Sequence, residues 1–148
     1  MPSTKTTLAQ IAKAVESQAL VHVGTLVPPG AYKFRVAKLL DAVEREYGNY
    51  IKQRNDLVKK YGVPQLVEKD GKQVATGNIS LLGASVENVL AFNDAMGALL
   101  DEVVPIPYEP IAWAKLGAEA EKLTVADVSA LGPLLIEELP ITELASVK

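Results

Sequence analysis

The chain has few side chains that could carry out chemistry, and the first of them is its single histidine, His22. With one imidazole and no cysteine, the chain can build neither a multi-histidine metal site nor a thiolate site, and it has no cysteine nucleophile. His22 stands between Val21 and Val23 in residues 19–27, a run rich in β-branched and apolar residues. We therefore interpret His22 as the outward-facing residue of a short strand or extended arm, rather than as a catalytic base.

Adjacent carboxylates are the other candidates for chemistry, and they occur at Asp101-Glu102 and at Glu137-Glu138. Neighbouring residues of a helix project about 100° apart, so neither pair is placed to act as an acid and a base. We interpret both pairs as solvated helix ends, with an oxygen-ligand site for Mg²⁺ or Ca²⁺ as the less favoured alternative. The GxSxG, Walker A and GxGxxG spacings do not occur. The sequence therefore predicts a protein that is not an enzyme, with no catalytic residue, metal or cofactor.

Aromatic residues beside prolines form the best candidate for a docking element. The segment VVPIPYEPIAW, residues 103–113, carries three prolines together with Tyr108 and Trp113, the only tryptophan. The prolines favour an extended or edge-strand conformation over a helix. Tyrosine and tryptophan are enriched at the hot spots of protein interfaces. The alternative is that these two side chains cover the end of a helical core.

Residues 31–61 are predicted to form the main framework, a long helix. The segment has no proline and many helix formers, and Gly62 stands where a glycine commonly ends a helix. Its apolar positions repeat every three or four residues, which is the period of a helical packing seam. The seam predicts that the tyrosines are packing residues and not a nucleic-acid-binding surface. Its eight positions, apolar or aromatic except for Arg54, are Val36, Leu40, Val43, Tyr47, Tyr50, Arg54, Leu57 and Tyr61.

Arg54 is the polar residue in this apolar seam, and two interpretations stay open. In the first, its aliphatic stem covers the seam while the guanidinium reaches water or a carboxylate of the next helix, at Asp94, Asp101 or Glu102. In the second, Arg54 fixes the register or the partner of the helix. The candidate interaction residues are therefore Arg54, Tyr108, Trp113, Tyr47 and Tyr50.

Shorter elements are predicted on both sides of the long helix. A first helix begins after Thr6 or Thr7, either of which can cap it, and the extended arm of residues 19–27 follows. After the long helix, Asp70-Gly71 predicts the tight turn of a β-hairpin, because glycine readily adopts the positive φ that such turns require.

A second long helix is predicted from Val86 to about Glu102, with Ser85 as its N-cap. Its apolar residues recur at the same three- and four-residue spacing, so the two long helices are expected to pack antiparallel across the hairpin. The second seam consists of Val89, Phe92, Met96, Leu99 and Val103.

The C-terminal part is predicted to hold one candidate strand and short helices. Residues 103–108 are the candidate strand. Thr124 followed by Asp127 is a variant of the capping box and predicts a helix from Val125. Pro133 predicts a further helical turn over residues 134–138.

Composition and charge fit a globular domain. The 148 residues are 49% apolar and 22% charged, which argues against disorder. The net charge of −3 gives no electrostatic reason to expect tight, non-specific binding of nucleic acid. The apolar runs are far shorter than the roughly 20 residues that span a bilayer. The first residues lack the apolar core of a secretory signal, so we expect a soluble protein made inside the cell.

These elements together predict a mainly α protein with a small antiparallel β element. It consists of a long antiparallel helical pair, a β-hairpin and a C-terminal helical cap. We expect a single domain over residues 1–148, with an N-terminal helix and extended arm in 1–30 and a tail in 139–148. The helical core occupies residues 31–138 and contains the hairpin at 64–76.

The order of several segments resembles a group of small bacteriophage and prophage proteins of unassigned function. These segments are YKFRVAKLL, QRNDLVKKYG, KDGK, LLDEVVPI and LTVADVSALGPLLIEE, within residues 32–138. In that group an AKLL-like helix ends in an RxxLxxKYG-like stretch, and an EVxI strand and an LTxxD terminus follow. The resemblance brings no known catalytic residues. It implies a phage origin and an accessory or structural task.

We therefore expect a non-enzymatic bacteriophage protein that acts through protein–protein contacts, as a virion component or assembly factor and as a homo-oligomer. It would be found in the virion or the host cytoplasm, with itself or another phage or host protein as partner. We expect no nucleic-acid and no membrane partner. The alternative is a phage-encoded binder or inhibitor of a host enzyme, in the defence or transcription machinery. A metal-dependent hydrolase that uses carboxylates is the least favoured hypothesis.

Overall fold

The structure, a computed structural model, describes residues 4–137 and is mainly helical with small sheets, as predicted. The described residues fall into two compact units. The larger unit comprises those up to Gly48 and from Glu102 onward, and the smaller unit is Asn49–Asp101. The prediction of one domain stays a prediction.

The helices and strands follow one another along the described chain. The elements are β1 Thr4–Thr7, α1 Leu8–Glu16, α2 Ala19–Gly24, α3 Tyr32–Tyr61, β2 Val63–Lys69, β3 Lys72–Ser80, α4 Val86–Leu100, β4 Val103–Ile106, β5 Ile111–Ala112, α5 Trp113–Leu116, a 3-10 helix Gly117–Lys122, α6 Val125–Leu131, a 3-10 helix Gly132–Leu134 and β6 Leu135–Ile136.

Helix α1 begins where the sequence predicts, with Thr7 as its N-cap. The Thr7 hydroxyl accepts a hydrogen bond from the Gln10 amide at 3.2 Å, which satisfies one of the amides that a helix start leaves without a partner. Leu8 and Ile11 are buried on the inner face of the helix. Burial of each such side chain contributes about 1.5–3 kcal/mol.

The predicted extended arm over residues 19–27 is wrong, because its first part is helix α2. Ala19, Leu20 and Val23 lie on one face of this helix and are buried, while His22 lies on the exposed side. A short apolar run fits a buried helix as well as a strand, so periodicity alone does not separate the two. Here packing against α1 and α6 decides in favour of the helix.

Helix α3 confirms the predicted long helix and its seam. All eight predicted seam positions are buried or half-buried, with Val36, Val43 and Tyr50 buried most completely. The helix ends at Tyr61, and the Gly62 amide donates a hydrogen bond to the Val58 carbonyl oxygen at 2.7 Å.

The hairpin of β2 and β3 is also confirmed, and its strands extend beyond the predicted residues 64–76. The two strands are antiparallel, with Lys69 paired to Lys72 next to the turn. At the turn, Asp70 has φ 55° and Gly71 has φ 76°, the two positive values that a type I′ turn requires.

Helix α4 starts at Val86, and the Ser85 hydroxyl accepts a hydrogen bond from the Asn88 amide at 3.1 Å. The helix ends at Leu100, earlier than predicted. The predicted seam residues of α4 are buried or half-buried as far as Leu99, which is the buried one. Val103 is instead the first residue of strand β4, where it lies on the exposed face and is 61% exposed.

Strand β4 confirms part of the predicted strand at 103–108, but it does not join the hairpin. It pairs antiparallel with β1, a strand that the sequence does not predict. Thr4 and Thr6 of β1 are buried. A four-residue strand rich in threonine is hard to recognise from its own sequence, because the strand with which it forms hydrogen bonds lies about a hundred residues further along the chain.

The C-terminal part confirms the helix after Thr124, with both hydrogen bonds of the capping box in place. After Pro133 the structure has only a short 3-10 helix, and then strand β6, which pairs in parallel with β5. The predicted helical turn over 134–138 is therefore wrong at Leu135–Ile136. Position 138 and the predicted tail, 139–148, lie outside the described residues. The largest side chains that are fully buried in the larger unit include Ile11, Leu39, Ile106, Ile111, Leu116, Leu131 and Leu134.

Candidate protein-docking site

A groove of about 260 Å³ opens in the larger unit, between the start of helix α3 and the proline-rich segment that follows β4. Helix α3 forms one wall, and residues 107–112 form the other. Buried apolar residues of both walls lie at the base. The residues around the groove are Tyr32, Arg35, Val36, Lys38, Leu39, Pro107, Tyr108, Glu109, Pro110, Ile111, Ala112 and Lys115.

Two hydrogen bonds hold the proline-rich wall in place. The Ala112 amide donates to the hydroxyl oxygen of Tyr32 at 2.7 Å, which joins this wall to α3. The Thr4 hydroxyl donates to the Tyr108 carbonyl oxygen at 2.7 Å, which joins it to β1. The prolines further restrict the backbone of this segment. The groove is therefore formed before a ligand arrives, so the protein loses little conformational entropy when the ligand binds.

Replacing Tyr32 with phenylalanine is expected to lower the free energy of unfolding by about 1–2 kcal/mol. The substitution removes the acceptor of the Ala112 amide, a buried donor, and leaves it without a hydrogen bond. Urea denaturation followed by circular dichroism measures the change. Tyr108→Phe is the matched control, because the Tyr108 hydroxyl makes no hydrogen bond to any residue within 4–137. Equal stability of the two variants would contradict a structural role for the Tyr32 hydroxyl.

Charged side chains also line the groove. Among residues 4–137 these are the basic residues Arg35, Lys38 and Lys115 and the carboxylate Glu109. The groove thus combines apolar and charged lining residues.

Of the five candidate interaction residues, only Tyr108 lines this groove. The residue is 37% exposed. Trp113 begins helix α5 just after the proline-rich wall and is half-buried. Tyr47 is half-buried, and its hydroxyl donates to a Glu16 carboxylate oxygen at 3.3 Å, while Tyr50 is buried. Both tyrosines of α3 are packing residues, as the seam predicts.

Arg54 lies in the smaller unit and is half-buried within the α3 seam. Among the described residues, its guanidinium has no hydrogen-bond or ion-pair partner, so Asp94 and Asp101 do not neutralise it. Its half-buried position fits the first interpretation, in which the aliphatic stem covers the seam, and its charge makes no ion pair within residues 4–137.

The substitution Arg54→Leu is expected to raise the free energy of unfolding by about 1 kcal/mol, because it replaces an unneutralised charge in the seam by an apolar side chain. Thermal and urea denaturation measure the effect. Lys52→Leu, at an exposed position of the same helix, is the control and is expected to change stability by less than about 0.5 kcal/mol. A marked loss of stability in Arg54→Leu would show that the arginine has a stabilising partner.

His22 does not line the groove, and its imidazole is hydrogen-bonded to a buried carboxylate. Its Nδ1 lies 2.7 Å from Oδ1 of Asp127, which connects helix α2 to helix α6. Burial acts to raise the pKa of Asp127, but hydrogen bonds from His22 and from Thr124 outweigh it and hold the pKa below its usual value. The pair therefore joins two helices of the larger unit through an exposed imidazole and a buried carboxylate.

The carboxylates considered for chemistry lie at exposed positions where the structure describes them. Asp101 and Glu102 are exposed and follow the end of α4, and Glu137 is exposed, while Glu138 lies outside the described residues. Between residues 4 and 137 no group of three or more histidine, cysteine or acidic residues is arranged to hold a metal ion. None of the helices described is both long and apolar enough to cross a membrane.

Four of the groove residues, Tyr32, Arg35, Lys38 and Lys115, were not predicted from the sequence. The spacing of Tyr32, Arg35 and Leu39 places them on one side of α3, and that periodicity is a usable signal. What the sequence does not show is that this side faces the proline-rich segment, which lies about seventy residues further along the chain.

Comparison with known proteins finds no matching family model, no matching curated protein and no matching solved structure. The likeness to bacteriophage proteins therefore stays an expectation from the sequence.

Proposed function

We propose that this protein acts without catalysis, by binding another protein through the groove between α3 and the proline-rich segment. The observation that carries the proposal is the exposed Tyr108 on a wall held by two hydrogen bonds. An aromatic side chain on a rigid support, beside an apolar base, has the character of an interface hot spot.

The chemistry of the groove favours binding over reaction. Its lining residues within 4–137 include no serine, threonine, cysteine or histidine that could serve as nucleophile or imidazole base. Glu109 is its one carboxylate, so no second acid stands beside it for acid–base work. Tyrosine and arginine beside an apolar cleft are instead enriched in recognition surfaces.

The biological setting we propose is a bacteriophage, in which the protein is a virion component or an assembly factor and associates with itself. The order of the segments from YKFRVAKLL to LTVADVSALGPLLIEE supports this setting. Quantitative mass spectrometry of purified particles tests it. Many copies per particle would support a virion component. Absence from particles, together with a host protein bound at the groove, would favour the host-enzyme binder.

A photo-crosslinking amino acid in place of Tyr108 tests the use of the groove inside cells. We expect a discrete protein adduct after irradiation, identified by mass spectrometry. The matched control places the same amino acid at Val125, which is 88% exposed in the larger unit but does not line the groove. Adducts from both positions would indicate random collision. Tyr108 adducts that disappear in Lys38→Glu would support docking in the groove, and no adduct from Tyr108 would contradict it.

A further inference from the structure

The hairpin of β2 and β3 lacks a covering element among the residues that the structure describes. Val67 and Val74 are paired across the two strands and are exposed, and so is Leu66 on the opposite face. A two-stranded hairpin in water is only marginally stable unless it packs against a helix or further strands. The exposed valines therefore mark a face that another element can stabilise by covering it.

This face of the hairpin is basic as well as apolar. Side chains alternate between the two faces of a strand, so Lys69 lies on the same face as Val67, and Lys72 on the same face as Val74. The two lysines are paired with each other next to the turn, and like charges in such a pair repel. Within residues 4–137, neither lysine side chain has an ion-pair or hydrogen-bond partner. The hairpin face, defined by these two valines and two lysines, therefore favours a cover that is apolar and acidic.

Helix α4 carries an exposed surface of that kind. Because successive residues of a helix turn by about 100°, four exposed residues lie on one side of α4. This helix face consists of Val86, Glu87, Leu90 and Asp94. Its two carboxylates form no ion pair within residues 4–137, and α4 contains no basic residue. Since both the helix face and the hairpin face are exposed, α4 does not cover the hairpin of its own chain.

The smaller unit has few buried apolar residues of its own. Within Asn49–Asp101 only Tyr50 and Leu99 are buried apolar residues. Small units with so little core often gain stability by oligomerisation. The unit also contains six basic and six acidic residues, so its formal charge is zero and no net repulsion separates two copies of it.

Two-fold symmetry would cover both faces at once. An isologous interface makes each contact twice, so α4 of one copy can lie on the hairpin of the other while its own hairpin receives the other copy's α4. Packing two helix faces against each other is disfavoured, because it would bring the Glu87 and Asp94 carboxylates of both copies together. The charges thus favour helix on hairpin.

Deepening the self-association of the proposed function, on which it rests, we infer that the smaller unit binds the smaller unit of a second copy of this chain. Helix α4 of each copy covers the hairpin of the other. The valines of the hairpin face meet Val86 and Leu90, and the two lysines lie near the carboxylates of the helix face.

A charge swap between the two faces tests this pairing with the full chain. One variant combines Lys69→Glu with Lys72→Glu, and the other combines Glu87→Lys with Asp94→Lys. Each variant alone would place like charges at both helix–hairpin contacts, so its dimer dissociation constant is expected to rise about tenfold. An equimolar mixture of the two variants restores opposite charges at both contacts and should restore dimerisation. Sedimentation velocity over a series of protein concentrations measures all three, and circular dichroism checks that each variant is folded.

The matched control reverses two charges elsewhere in the same unit. Lys52→Glu with Lys59→Glu changes two exposed lysines of α3 that belong to neither face, and it should leave the dissociation constant unchanged. The apolar contact has its own matched pair. Val86 and Val125 are both the first residue of a helix and both exposed, but only Val86 lies on the helix face. Val86→Ser should weaken the dimer about threefold, and Val125→Ser should not.

The outcomes separate this inference from the proposed function. Weakened dimers that recover on mixing would support the helix–hairpin pairing. A dimer that neither charge variant weakens, or that mixing does not restore, would show that copies associate through another surface, so the inference fails while self-association stands. A chain that stays monomeric at every concentration would overturn both the inference and self-association. Protein docking at the groove would still be decided by the Tyr108 adduct.

Discussion

Replacing Gly62 with alanine should destabilise the smaller unit by about 3 kcal/mol, the largest effect we expect from a single methyl group in this chain. A Cβ at this position would lie 2.5 Å from the Val58 carbonyl oxygen, 2.8 Å from that of Ser80 and 2.9 Å from Cγ2 of Ile79. Two of these three atoms belong to the backbone. Relief of the clash therefore requires the end of α3 to move relative to the end of β3.

Urea denaturation, with hydrogen exchange of the amides in residues 49–101, measures this loss. Gly97→Ala is the matched control, because Gly97 lies inside α4 of the same unit and a Cβ there would have no neighbour within 4 Å. Alanine is favoured over glycine inside a helix, so the control should gain about 1 kcal/mol. Similar stability for the two variants would show that the packing around Gly62 adapts easily.

Asp127→Ala is expected to lower the free energy of unfolding of the larger unit by about 2–3 kcal/mol at neutral pH. The substitution removes the acceptor of two hydrogen bonds, one from the Thr124 amide at 3.1 Å and one from His22 at 2.7 Å. Helix α6 loses one of the two hydrogen bonds of its capping box, and α2 loses its side-chain hydrogen bond to α6. Asp56→Ala removes an exposed carboxylate from α3 and should cost less than about 0.5 kcal/mol.

The cost of Asp127→Ala should depend on pH in a defined direction. The pKa of Asp127 lies below its ordinary value of 3.8, so the folded state favours the charged carboxylate. This contribution to stability is present above that value, and it is lost as the pH falls through the lower pKa of the folded state. Denaturation series at neutral and acidic pH should therefore show the wild type approaching Asp127→Ala in acid. A constant difference would mean that the carboxylate charge contributes nothing.

The parts of the fold that the sequence predicts are those whose signals are local. Thr7, Ser85 and Thr124 each cap a helix through a hydrogen bond to a residue three positions away, and such motifs are visible in a short window. The Asp70-Gly71 turn is equally local. The long helix is predicted because its period repeats over many turns.

The parts that the sequence misses depend on distant partners. Helix α2 is helical because one apolar face packs against α1 and α6, and β1 is a strand because β4 supplies its hydrogen bonds. Strand β6 likewise exists through its pairing with β5. For such short segments, intrinsic preference is weaker than the tertiary contacts that decide their conformation.

One wall of the groove could be predicted from the sequence, and the other could not, because its position depends on distant contacts. Tyr108 and the proline-rich segment are recognisable by composition, whereas the opposite wall of the groove is defined only by where α3 lies in the larger unit. Arg54 is a break in the sequence pattern, yet the structure places it in the smaller unit, and it does not line the groove.

The pairing of β1 with β4 has a consequence for how the protein folds during synthesis. The larger unit is made of two separated stretches of chain, and Thr4 finds its partner only at Ile106. The smaller unit is one continuous stretch that ends at Asp101. Contacts between distant residues form slowly, and the ribosome adds only about 5–20 residues per second. Strand β1 therefore stays without its hydrogen-bonding partner until β4 has been synthesised. The smaller unit should therefore fold first on the ribosome, and the docking groove, which needs residues 107–115, should form after it.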